Sequence, residues 1–254
     1  MDAATNTIYI AALGVGGSTV LGAILGYFIK NVSHRVNDMV IGMCAGIMLS
    51  AAVFGLLVPA FDMTPNWSDV WYPCLGVACG VLFLNLLDHV TPHLHYLTGI
   101  EQEEHHYNQH INRVLLFVIA VALHKFPEGL AAGVGYGGAT TDGAASVAIA
   151  ISLQNIPEAM VIISPLLLVG VSHLRTFLIA LSMAMLEVLG MFTSYYLGGL
   201  SEAVLPFMLA LSGGAMLYVV SDEMIPESHA HGYQKSATYA LLFGFVLMML
   251  IDRI

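Results

Sequence analysis

The sequence predicts an all-α, polytopic membrane bundle of eight helices, and three observations carry that prediction. Apolar residues make up 58% of the 254 and charged residues only 9%, against about 45–50% and about 25% in soluble domains. The apolar residues fall into eight runs of the roughly 20 residues that a helix needs to cross a hydrocarbon core about 30 Å thick. The few basic residues gather at alternate ends of those runs.

In chain order the predicted spans are 7–29, 39–60, 71–95, 113–136, 144–169, 175–199, 203–227 and 233–253. The first is a retained helix and not a cleaved signal, because nothing basic precedes it while Lys30 and Arg35 follow it. That order places the amino terminus outside. The second span carries Met48, and Cys44, Cys74 and Cys79 lie in or beside apolar runs as packing residues, with no CxxC pair among them. The third ends on Asp88, His93 and His95. The only long polar connection, about 98–112, follows it and contains Glu101, Glu103, Glu104, His105, His106 and His110. All other connections are short, so residues 1–254 read as a single transmembrane domain. Under the positive-inside rule Lys30, Arg35, Arg113, Arg175 and Lys235 then fall on cytoplasmic ends, and of the terminal charges only Arg253 falls outside, with both termini outside.

The remaining basic residue, Lys125, stands in the middle of the fourth span. Ionisable groups at that depth are costly and mark function by default. The fourth span reads His124-Lys125-Phe126-Pro127-Glu128-Gly129 and the fifth Gln154-Asn155-Ile156-Pro157-Glu158-Ala159, one pattern repeated thirty residues on. In each, the first polar residue and the glutamate are four apart, hence on one helix face a turn from each other. Each proline lacks an N–H, so the carbonyls of Leu123 and Leu153 are expected to be freed by a local break in the helix. Broken helices at midmembrane are where transporters place ion sites.

At a rise of ~1.5 Å per residue, His124 lies ~16 Å from one end of its span, Gln154 ~15 Å from the opposite end of the next, and Glu187 ~18 Å along the sixth. All three share a midplane. A histidine with several carboxylates and no cysteine suits a divalent ion of the zinc, iron, manganese, cadmium or cobalt kind better than copper(I). The net charge of −10 also favours a cation and argues against a nucleic acid. The competing reading, polar side chains gluing kinked helices together, leaves three buried glutamates unable to satisfy one another.

The two hexads resemble those of the ZIP (Zrt/Irt-like) family of metal-ion transporters, in particular its GufA-like branch, whose fifth helix begins the motif with Gln. The runs Ala122-Leu-His-Lys-Phe-Pro-Glu-Gly-Leu-Ala131 and Gly214-Ala-Met-Leu-Tyr-Val-Val-Ser-Asp-Glu-Met-Ile-Pro-Glu227, and Asp88-x-x-x-Pro92-His93-x-His95, carry the same resemblance. It implies eight helices with both termini outside, a homodimer in a bacterial cytoplasmic (inner) membrane, and uptake of divalent metal into the cytoplasm. By position, the transport site is His124, Glu128, Gln154 and Glu158, with Met48 as a further ligand. A second metal position in many members matches Lys125, Asn155 and Glu187, sharing Glu128 and Glu158 as bridges.

Lys125 departs from the family, which usually has Asn there. A protonated ammonium ligates no metal and repels a second dication. Three glutamates, one ammonium and one divalent ion sum to zero charge, so the sequence predicts a mononuclear site in which Lys125 replaces the second metal. On the cytoplasmic side Asp88, His93, His95, Glu223, Glu227 and His229 read as an exit path, with Asp222, His231 and the His-rich loop beside it. The substrate expected is a divalent metal, zinc first; no organic cofactor is expected, and the lipid bilayer is the chain's surroundings. The alternative from another class is a membrane-embedded metalloenzyme using the same His/Glu cluster. Against it, H-E-x-x-H is absent and no dedicated base remains.

Overall fold

The computed structural model describes residues 3–28, 33–64, 66–97, 125–137, 144–168, 170–198 and 204–251. Among the described residues there is helix and no strand. The helices are α1 (Ala3–Gly26), α2 (His34–Ser50), α3 (Val58–Asp62), α4 (Trp71–Leu97), α5 (125–137), α6 (Ala144–Leu168), α7 (His173–Gly198), α8 (Leu205–Val219), α9 (Ile225–Ser228) and α10 (Gln234–Ile251). Among the described residues five rods, Asn6–Gly26, His34–Asp62, His173–Leu197, Leu205–Ser228 and Gln234–Ile251, are long and apolar enough to cross a membrane. The predicted span ends fall within a few residues of these helices wherever both are described.

The polarity is that of a membrane protein. Lys125, Glu128, Gln154, Asn155 and Glu187 are buried, while α10 leaves Leu242, Phe243, Val246 and Leu250 exposed and α7 leaves Leu174, Leu178 and Leu189 exposed. An outer face of that composition is stable only against lipid.

With lipid tails no less apolar than leucine, helices associate by close backbone contact through small residues. Gly42 and Gly46 of α2 and Gly244 of α10 set one such seam, since a methyl on Gly42 would stand 2.6 Å from the Ala237 carbonyl and one on Gly46 would collide with that of Leu241. Gly76 and Gly80 with Gly214 join α4 to α8 in the same way, and Gly129 and Gly133 with Gly190 join α5 to α7. The G-x-x-x-G spacing of each pair is visible in the sequence and marks the contact face. Gly46→Val is expected to cost about 1–3 kcal/mol, the range for overpacking a tight contact. The check is the thermal unfolding midpoint in detergent, where an unchanged midpoint contradicts the seam.

Two α-helical rods are interrupted by wider turns. Between α2 and α3, and between α8 and α9, the chain runs as π-helix over Ala51–Leu57 and Val220–Met224. There Val58 N–H donates to the Val53 carbonyl and Ile225 N–H to the Val220 carbonyl, each five residues back. Each donor immediately precedes a proline, Pro59 or Pro226, whose ring obstructs the ordinary i−4 carbonyl. The expected break at Leu153 is, by contrast, not found: α6 runs unbroken from Ala144 to Leu168 through Pro157. The reason is packing. Gly22 of α1 lies tight against the Ile156 carbonyl beside the proline, and close neighbouring helices let a membrane helix accommodate a proline within its run. The corresponding expectation at Leu123 lies outside the described residues.

Candidate metal site

The polar centre is built where α5, α6 and α7 meet, with α1 packed against both α6 and α7. Pro127 and Glu128 follow Lys125 at the start of the described part of α5, so Lys125 and Glu128, three residues apart, share a face. Gln154, Asn155 and Glu158 come from the middle of α6, and Glu187 from the middle of α7. Residues at one expected depth, Gln154 and Glu187, thus meet in one place, His124 lying outside the described residues.

Lys125 Nζ spends all three of its N–H groups here. It donates to Glu128 Oε2 at 2.7 Å, to Asn155 Oδ1 at 2.7 Å and to Glu158 Oε2 at 3.0 Å. Gln154 Nε2 donates to the other Glu128 oxygen at 2.8 Å. Glu187 accepts no hydrogen bond from Lys125; its Oε1 accepts from Asn155 Nδ2 at 2.7 Å and its Oε2 from the Thr19 hydroxyl of α1 at 3.0 Å. Asn155 Nδ2 also donates to the Val15 carbonyl at 3.2 Å. Every named side chain is buried except Glu158, which retains 14% of its side-chain exposure.

One fully buried acceptor in this network has no donor. Gln154 Oε1 is fully buried and makes no hydrogen bond. Buried polar atoms are almost always paired, and an unpaired one calls for an explanation such as an ion. It stands on the same side chain that reaches Glu128, so a carbonyl oxygen and carboxylates are offered together, the hard donors that divalent cations accept.

Residues 88–252 match the family model described as ZIP zinc transporter. The chain belongs to that family. It is 38% identical to the zinc transporter GufA of Myxococcus xanthus over 96% of both chains. It is 34% identical to the zinc transporter ZIPB of Bordetella bronchiseptica over 97% of this chain and 82% of that one. Human zinc transporter ZIP11 is 27% identical over 97% of both. The GufA-like resemblance read from the hexads therefore holds. ZIP proteins are transporters and not enzymes, which removes the metalloenzyme alternative.

Against the family's expected ligand set, the positions are placed as follows. Glu128, Gln154, Asn155, Glu158 and Glu187 lie in the one network with Lys125, while His124 lies outside the described residues. Without it, no three His, Cys, Asp or Glu side chains among the described residues are grouped to hold a metal. Met48 is buried in the main apolar cluster of α2, one turn beyond Cys44. Cys44, read as a packing residue, has its Sγ 3.8 Å from the Gln154 carbonyl oxygen and so touches the backbone of the polar network. Cys74, by contrast, is exposed.

Of the exit-path residues, positions 88, 93 and 95 fall on the last turns of α4, with side chains outside what is described, as are residues 98–112. Asp222 and Glu223 sit in the second π turn, Asp222 exposed and Glu223 half-buried, and Glu227 is half-buried on α9. His229 uses both ring nitrogens locally: Nδ1 lies 2.8 Å from the Ile225 carbonyl oxygen and Nε2 3.2 Å from the Thr238 hydroxyl. To pass an ion, His229 must give up one of these contacts.

Sequence reasoning missed Thr19 and the Val15 carbonyl. The signal was present: Thr19 interrupts the apolar first span twelve residues in, which at ~1.5 Å per residue is ~18 Å, the depth of the other polar groups.

Proposed function

We propose that this chain carries divalent metal, zinc foremost, across a bacterial cytoplasmic membrane into the cell through one midmembrane ion site formed by His124, Glu128, Gln154 and Glu158. In this reading the 254 residues form one transmembrane domain of eight spans with both termini outside, acting as a homodimer, and Met48 is a further ligand of the site. The names of the relatives support the metal and the transport. The orphaned Gln154 Oε1, buried beside Glu128, carries the site, because a bound cation is the partner that its surroundings lack.

Lys125 supports the single-ion form. Its ammonium lies within hydrogen-bond reach of Glu128, Asn155 and Glu158, three of the groups that a second metal would need. A fixed cation there neutralises part of the carboxylate charge without exchanging, and the transported ion completes neutrality. Glu158 is the only carboxylate of the three with appreciable exposure, which makes it the one through which an ion enters or leaves. Zinc, iron, cadmium, manganese and cobalt all accept this ligand set.

Purified protein in liposomes, loaded with a zinc-sensitive dye, tests the proposal. Zinc entry down a gradient is expected for the wild type and a fall of at least about tenfold for Glu158→Ala, in the range that loss of a site group costs. Wild-type liposomes no more permeable to zinc than empty ones would overturn the carrier reading.

A further inference from the structure

We propose that Thr19 of α1 is a positioning residue for the transport site, holding the Glu187 carboxylate so that Glu187 serves Lys125 through Asn155 and does not ligate the metal. The inference rests on the transport reading above and extends it to a helix that supplies none of the ligands. Four helices are linked in one line of hydrogen bonds. Thr19 of α1 donates to Glu187 of α7, whose other oxygen accepts from Asn155 of α6, whose amide oxygen in turn accepts from Lys125 of α5. All four side chains are buried.

The valence count makes the arrangement directional. The Lys125 ammonium has three N–H groups and three acceptors, none of them on Glu187. The Glu187 oxygens have one donor each, from Asn155 and Thr19. Asn155 is pinned from α1 as well, through the Val15 carbonyl, one turn before Thr19 on the same face. Glu187 therefore fixes which way the Asn155 amide points, and the amide fixes one of the three directions of the ammonium. The other two directions are Glu128 and Glu158, the proposed ligands.

Removing the Thr19 hydroxyl leaves one buried carboxylate oxygen without a donor. The crevice that Thr19 and Lys125 line is otherwise apolar, with Ala159, Ile162, Ile163, Ala180 and Met183, apart from the Thr176 hydroxyl. A freed Glu187 oxygen competes for the charged donor at the end of its own line of hydrogen bonds, Lys125, a stronger donor than the buried and unpartnered Thr176 hydroxyl. Taking an N–H from Lys125 pulls the ammonium off Glu128 or Glu158 and shifts both ligands relative to the metal.

The test compares Thr19→Val, which keeps the volume and loses the donor, with Thr19→Ser, which keeps the donor, in zinc uptake by proteoliposomes. The expected result is a KM for zinc raised about tenfold in Thr19→Val, as for other groups that orient metal ligands, with the maximal rate within about twofold of wild type and Thr19→Ser close to wild type. Thr19→Cys, similar in size with a weak donor, is expected between them, and it carries the test if the valine variant does not fold. A wild-type KM in Thr19→Val, or in Thr19→Cys where that stands in for it, overturns the proposal, as does equal impairment of the serine and valine variants. A wild type that moves no zinc overturns the transport reading itself, so the two failures are told apart.

Discussion

Zinc uptake by Glu128→Gln falls by at least about 100-fold, the largest single effect expected in this protein. Glu128 is the one carboxylate that meets both halves of the centre, accepting from Lys125 on its own helix and from Gln154 on α6. The amide that replaces it presents an NH₂ where one of those donors points, and it removes a charge from a site where three carboxylates balance one ammonium and one dication. Breaking a buried ion pair by deleting one partner costs about 3–5 kcal/mol, and each 1.4 kcal/mol is tenfold in affinity, which places the loss above 100-fold. Uptake in proteoliposomes measures it, with helical content by circular dichroism to establish that the variant is folded. Folded Glu128→Gln that takes up zinc at the wild-type rate contradicts the assignment.

Lys125→Asn is expected to raise the number of zinc ions held in the centre from one to two. The substitution removes a cation that touches Glu128, Asn155 and Glu158 and puts an amide oxygen, a metal ligand, near its place. It also leaves the three carboxylates with one positive charge fewer, a deficit that a second dication more than fills. The wild type and variant, loaded with zinc and compared by native mass spectrometry, should differ by one ion per chain. Equal stoichiometry contradicts the role given to Lys125.

How much of this was legible in the sequence depended on the kind of force involved. Span positions were legible because burial in lipid demands long apolar runs, and the described helices follow them closely, the first half of the fourth predicted span lying outside the described residues. The midmembrane residues were legible because charge at that depth has few structural uses, and Lys125, Glu128, Gln154, Asn155, Glu158 and Glu187 do converge. The response of the backbone to proline was not. Pro157 was expected to break its helix and lies in an intact one, whereas Pro59 and Pro226, which drew no attention, follow π turns. A proline fixes only a missing donor and a steric clash; the neighbouring helix decides whether the chain widens or holds, and that neighbour is a tertiary fact.

Thr19 escaped for a related reason. A threonine in an apolar span usually bonds its own helix, as Thr193 does with the Leu189 carbonyl. Only the packing of α1 against α6 and α7 turns Thr19 outward to Glu187. Helix pairing was in principle readable: Gly42 and Gly46, Gly76 and Gly80, and Gly129 and Gly133 are each four apart and each meet another backbone. The spacing names a contact face; which helix meets it is set by the packing of the bundle.

The most direct test of a single-ion site with Lys125 as its permanent second cation is anomalous diffraction at the zinc absorption edge from zinc-soaked crystals of the wild type. The account predicts one peak in the centre, beside Glu128, Gln154 and Glu158, with none between Lys125 and Glu187. Two peaks within that cluster, Lys125 being intact, would contradict it.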